Sequence, residues 1–369
     1  MKRIKRLIIT IFMTLLFMNL SIFISSAYEE VETIPLITKG RIIYVGGSGP
    51  GNFIKIQDAI DNASDGDTVF VLSGVYYEYH ILVNKTINLF GEDKHTTIID
   101  GNNMGDILYI NADNVYISGF TFQSGEVKHT EAIHQFYCNK STITNNIIHD
   151  IDGFEGSIWL FRACNNTITN NTFSSIFGTC LSFTFSSNNI VSGNNFSNNG
   201  AGICAWFTTD TIFKENNISN THIGIILWNG DFDSKDWNGY NTVTMNNIIN
   251  NSDYGIIIDL SYSNTISMNN IINNKLGIWI DWSNSNIIEK NNFIGNKRHA
   301  KFETAFKTKW NENYWGKPRL FPKLLLGIIY EFPIPFPVPI DFPIEGIPIP
   351  GLQSDMHPAK KPYKIPSNI

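Results

Sequence analysis

The chain has 369 residues, 43% of them hydrophobic, and a formal net charge of −6. That is a globular composition, and one solenoid can absorb the whole length. No basic stripe is present, which argues against a nucleic-acid partner.

Met1–Ala27 has the plan of an export signal. Lys2, Arg3, Lys5 and Arg6 form a basic start, Leu7–Ile24 is mostly apolar, and Ser25-Ser26-Ala27 offers small residues for cleavage. The expected product is exported (extracellular, cell-surface or periplasmic) with no membrane span in the mature chain. An uncleaved N-terminal anchor is the alternative. Tyr28–Gly40 reads as a leader without a core, and Arg41–Val45 as a first strand. Phe53–Ala63 reads as a helix, because Phe53, Ile56, Ala59, Ile60 and Ala63 share one face. Such a helix suits the exposed apolar end of a stacked fold.

From Lys140 to Gly295 one short phrase recurs seven times. Its aligned asparagines are Asn146, Asn171, Asn194, Asn216, Asn246, Asn269 and Asn291. A period of roughly 22–30 residues signals a solenoid. The apolar runs within each unit are short and β-branched, and none is long enough for an amphipathic helix. Each unit therefore reads as one turn of a parallel β-helix, its strands about 4.8 Å from those of the next turn. An asparagine at one corner can bond the same amide above and below, and it tolerates the left-handed backbone that corners need.

Ahead of these repeats the chain runs IQDAID, GDTVFV, SGVYYE, KTINLFGE and TTIIDG. With the N-x-I-x-x-N repeats, this order resembles secreted right-handed parallel β-helix proteins of the pectin-lyase-like superfamily, in the branch with NosD-type repeats. The resemblance covers roughly Ile42–Asn296. It implies an all-β right-handed solenoid; the helix at Phe53–Ala63 is read as its N-terminal cap, and the residues beyond Asn296 as a cap or proline-rich C-terminal extension. It does not select an activity, because the superfamily holds lyases, hydrolases, epimerases and adhesins. The polygalacturonase motifs are missing from the mature chain, and the Asp-Pro-His-Asp signature of alginate epimerases is absent.

The strands preceding each phrase can be stacked. Ile133, Ile158, Cys180, Ile203, Ile225, Ile256 and Ile278 are placed inward. Alternation then puts His134, Trp159, Leu181, Cys204, Ile226, Ile257 and Trp279 in one outward column. A second outward column holds Phe136, Phe161, Phe183, Trp206 and Trp228, followed by Asp259 and Asp281. Exposed aromatic rows mark binding surfaces, and flat sugar faces pack on such rings. With Trp279, these aromatics are the candidate ligand site for a polysaccharide or glycan. The competing readings are a reversed phase, which makes them core, and cover by the tail.

Asp259 and Asp281 fall one turn apart. They can be solvated carboxylates, calcium ligands, or a catalytic pair near the roughly 5 Å separation of retaining glycosidases. His149, Asp150 and Asp152, with His129, Glu131 and His134 one turn earlier, form a second polar cluster. Imidazole and carboxylate suit copper(II), and Met245 with Met268 would suit copper(I). Asn229–Tyr240 reads as a loop leaving the stack; its Asp231, Asp233 and Asp236 do not match a calcium loop.

Cys138 and Cys164 are placed in nearly one column, either disulfide-bonded or as stacked free thiols. After Asn296 the repeat is expected to stop, with the basic Lys297–Lys309 turning aside. Phe332–Pro350 alternates proline with apolar residues and reads as a polyproline-like run, either covering the solenoid end or forming a stalk. Three functions remain open. The first is a secreted or surface glycan-binding protein, the second a polysaccharide lyase or hydrolase, and the third a NosD-like periplasmic copper-binding accessory protein.

Overall fold

Short β-branched runs punctuated by asparagine and glycine can satisfy their backbone only by pairing with the next copy of themselves. The computed structural model has that arrangement over residues 40–124, 131–151, 155–229, 239–319, 321–331 and 347–366, which are the residues described. About 12 turns form a parallel β-solenoid with almost no helix. Each regular turn contributes three strands. Two of the three faces belong to one 24-stranded sheet and the third forms a 10-stranded sheet.

The core is built from three inward columns. On the first face Ile203, Ile225, Ile256 and Ile278 are in register. On the second, Ile143, Ile168, Val191, Phe213, Val243, Ile266 and Ile288 stack. On the third, Ile148, Phe173, Phe196, Ile218, Ile248, Ile271 and Phe293 do the same. Nearly all are fully buried.

The corner asparagines form the expected ladder. From Asn146 to Asn291 each donates its backbone N–H and its Nδ2 to Oδ1 of the next, at 2.9–3.1 Å. The left-handed residue at this corner is the one before the ladder asparagine, such as Asn170, Glu215, Met245 and Met268. Two further ladders were not read from the sequence. One includes Asn241, Asn264 and Asn286, and the other Asn251, Asn274 and Asn296.

The helix spans Ile56–Asn62, shorter than expected, and buries Ile56, Ala59 and Ile60. Phe53 lies outside it but packs partly buried against the core. The Glu78 carboxylate accepts the N–H groups of Ile56 and Gln57 at 2.8 and 3.2 Å.

The stack does not stop at Asn296. Arg298–Glu303 is a strand in register with Leu276–Asp281, and Lys309–Asn311 pairs with Ile287–Glu289. The basic side chains hid this, because they occupy outward and edge positions while Phe302 and Trp310 point inward. Lys323–Glu331 and Ile347–Asp355 then form an antiparallel hairpin. Pro348 and Pro350 fall at alternate positions of its second strand, where alternate N–H groups point away from the partner and are not needed for the ladder. The remainder of the proline-rich run, residues 332–346, lies outside the described residues, as do Met1–Ala27 and the leader to Lys39.

All four cysteines are free. The register runs unbroken from Phe136↔Phe161 to Thr142↔Thr167, which sets Cys138 against Ala163 and Asn139 against Cys164. The two thiols are thus one residue out of step. Cys138 Sγ faces the Phe136 carbonyl at 2.7 Å, whereas Cys164 Sγ accepts from Ser187 Oγ at 3.3 Å.

Candidate functional site

The outward side of the first face carries two columns. The outer column runs Phe136, Phe161, Thr184, Trp206, Trp228, Asp259, Asp281 and Glu303 in continuous register. Four of the five aromatics read from the sequence are in it. Phe183 is not: it is 0% exposed and points into the core, and Thr184 takes its place. Ser182 likewise replaces Leu181 in the neighbouring column. Cys180 and Leu181 are both apolar and both buried, so alternation could not show which one starts the inward phase.

Trp206 is 37% exposed, and Phe136, Phe161 and Trp228 are half-buried. Trp206 and Trp228 meet edge to face at 4.9 Å, and Phe136 and Phe161 lie 5.7 Å apart. The corner residues just beyond the strands widen this surface. Tyr137, Arg162, Phe185 and Phe207 all have φ near +50°, which turns them out of the pleat. Phe185 and Phe207 stack at 4.7 Å, and Phe207 lies 6.2 Å from Trp228. The Arg162 guanidinium stands 5.6 Å from the ring centres of Tyr137, Phe161 and Phe185. The sequence reading missed these corner aromatics, because alternation says nothing about residues past a strand end.

The aromatic part of the column gives way to carboxyls. Asp259 and Asp281 are register partners in adjacent turns. Burial pushes Asp259 up to about 6. Burial, then the charges of Asp259 and Glu303, push Asp281 up to about 7. Glu303 continues the column and pairs with Lys301, whose ammonium lies 5.4 Å from the Trp279 ring centre. Trp279 belongs to the inner outward column and stacks on Tyr254 at 5.5 Å. Asp259, Asp281 and Glu303 do not converge as a three-donor cation site.

A second polar group sits near the N-terminal end of the same face. Ligand atoms of Asp106, Glu131 and His134 lie within 4.8 Å of one another, and no other such cluster occurs among the described residues. The Glu131 N–H donates to Asp106 Oδ1 at 2.9 Å, and Tyr109 Oη donates to Asp106 Oδ2 at 2.5 Å. Burial raises the Asp106 pKa, but His134, Glu131 and Tyr109 outweigh it and hold the carboxyl below its ordinary range. His149 and Asp150 do not join this group. They form a separate, largely exposed pair 2.8 Å apart on the third face, while Asp152 and His129 lie outside the described residues. Asp106 was missed although it precedes Glu131 by one turn; it lies ahead of the repeats used for alignment. Met245 and Met268 stack at another corner with no imidazole beside them in the column. Burial raises the thiols of Cys138, Cys180 and Cys204, to about 11 for the first and about 12 for the last, so they are not ready thiolate ligands.

No helix among the described residues is long and apolar enough to cross a membrane. The loop residues 230–238, with Asp231, Asp233 and Asp236, lie outside the description.

Among solved structures, the A-module of mannuronan C-5 epimerase AlgE6 from Azotobacter vinelandii is similar. Its TM-score is 0.64 at 15% identity, covering 74% of this chain and 82% of that one. The AlgE4 A-module from the same organism gives 0.62 at 15%, covering 74% and 88%. The periplasmic alginate epimerase AlgG gives 0.55 at 15%, covering 76% and 72%. At these identities the likeness concerns the fold alone, a right-handed parallel β-helix. No curated protein matches the chain. The family model described as "Periplasmic copper-binding protein (NosD)" matches residues 60–238 and 233–319, most of the solenoid, and the chain belongs to the NosD family.

Proposed function

We propose that this exported solenoid binds a polysaccharide along the outward side of its first face. The observation that carries this reading is the column Phe136, Phe161, Trp206 and Trp228, flanked by Tyr137, Phe185 and Phe207 and continued by Asp259, Asp281 and Glu303. Half-buried rings held by a rigid sheet bring large contact area and lose few torsions on binding. A row along the solenoid axis suits a chain better than a single sugar. Arg162 offers a cationic group among the rings for acidic sugars. The similar folds named for mannuronan and alginate support the same ligand class.

Turnover is the second reading, and it has its own observation. Asp259 and Asp281 are stacked carboxyls held near neutrality, which suits a pair that divides acid and base roles. The family description names copper. Asp106, Glu131 and His134 supply imidazole and carboxylate donors that fit copper(II). A bound ion would supply fixed positive charge beside the aromatic face.

A glycan array followed by a turnover assay on the best binder tests both readings. Loss of oligosaccharide binding in Trp206→Ala/Trp228→Ala, with the melting temperature held, supports the stripe. Full affinity in that variant overturns it.

A further inference from the structure

We infer that Asp106, Glu131 and His134 form a coordination site for a divalent transition-metal ion, zinc(II) or copper(II), independent of the polysaccharide reading. Their ligand atoms already lie within 4.8 Å of one another. The independent sign is His134 itself. Its side chain is 9% exposed, yet neither nitrogen makes a hydrogen bond, and Nδ1 stands 3.8 Å from Asp106 Oδ2. Leaving a buried polar side chain unsatisfied is costly, and such groups call for a physical explanation.

The surroundings fix the imidazole without satisfying it. Phe136, Trp159 and Tyr109 lie 4.1, 4.4 and 5.6 Å from the His134 ring centre. They hold the ring in place but offer its nitrogens no acceptor. An ion on one ring nitrogen satisfies that atom. Two carboxylates and a neutral imidazole match a divalent charge. One nitrogen and two oxygens suit zinc(II) and copper(II), whereas calcium asks for six to eight oxygens and copper(I) for sulfur. Three protein donors leave a fourth position open, as metal sites that receive a ligand do. Tyr109 acts as the outer partner: its hydroxyl, 2.5 Å from Asp106 Oδ2, orients the carboxylate.

The test is calorimetric titration of the metal-stripped full chain with zinc(II) and, separately, with copper(II). One equivalent of one or both ions should bind. Glu131→Gln and His134→Ala should each weaken binding by on the order of 100-fold, Tyr109→Phe by about 10-fold, and His149→Ala should leave it unchanged. Copper(II) electron paramagnetic resonance should show coupling to one nitrogen. Trp206→Ala/Trp228→Ala should keep full metal stoichiometry whatever it does to glycan binding. If His134→Ala does not fold, Glu131→Gln and the resonance spectrum still decide. No saturable binding of either ion, or binding that survives Glu131→Gln undiminished, overturns the site.

Discussion

Asn313 donates its backbone N–H and its Nδ2 to one oxygen, Oδ2 of Asp355, at 2.8 and 3.2 Å. The asparagine ladder that begins at Asn146 therefore ends on a carboxylate. Asparagine extends a ladder because it both donates and accepts. An ionised aspartate only accepts, so it is a natural last rung. The Trp315 indole N–H fills the same oxygen at 3.0 Å.

The interior of this ladder should be more sensitive than a single hydrogen bond implies. Asn269 accepts from Asn246 and donates to Val243, Ser267 and Asn291. Asn269→Ala strands several buried partners, each at about 1–3 kcal/mol. The expected outcome in chemical denaturation is a loss of several kcal/mol. A variant with the parental midpoint would mean that the ladder contributes nothing to stability.

Phe183 and Trp206 have opposite roles despite similar places in the sequence. Phe183→Ala opens a core cavity and should cost about 3–5 kcal/mol. Trp206→Ala removes a partly exposed ring and should change the melting temperature little while weakening oligosaccharide binding. Parallel thermal melts of the two variants check the assignment, and equal losses would contradict it.

The carboxyl column predicts a pH dependence of stability. Asp259 and Asp281 have folded pKa values raised to about 6 and about 7 from an ordinary 3.8. Between about 4 and 7 the folded state holds more protons than the unfolded state, so stability falls as pH rises through this window. Asp281→Asn removes part of that decline. At pH 8 it should be more stable than the parent, by about 1 kcal/mol after allowing for solvent screening. Denaturation at pH 5 and pH 8 reads the difference, and a variant that loses stability at pH 8 would contradict the shift.

Calcium at the same carboxyls predicts that chelator lowers the melting temperature and that Asp281→Asn abolishes the effect. The three carboxyls do not converge as donors, and Glu303 is paired with Lys301. The melt should therefore be unchanged by a calcium-selective chelator in parent and variant alike. A chelator-sensitive melt lost in Asp281→Asn would restore calcium as the ligand.

If the protein turns over its glycan, Asp259→Asn should eliminate the activity and leave binding nearly intact. Rates and affinities measured on the same oligosaccharide separate the two roles. A fully active variant would remove Asp259 from the chemistry.

The repeating asparagine phrase and the short β-branched runs were enough to specify a parallel solenoid. Stacking makes every turn's neighbours equivalent, so a period in the sequence is also a contact map. The same period placed Phe136, Phe161, Trp206, Trp228, Asp259 and Asp281 in one outward column. Three matters depended on the folded chain. Phase at Cys180–Leu181 was decided by packing, since both side chains are apolar and either could begin the inward set. The extension of the stack through Arg298–Glu303 was decided by backbone register, which pairs a basic strand as readily as an apolar one. The Asp106–Glu131–His134 cluster was decided by the corner path between turns. That path gathers side chains whose residue types carry no shared motif, and only their distances reveal the grouping.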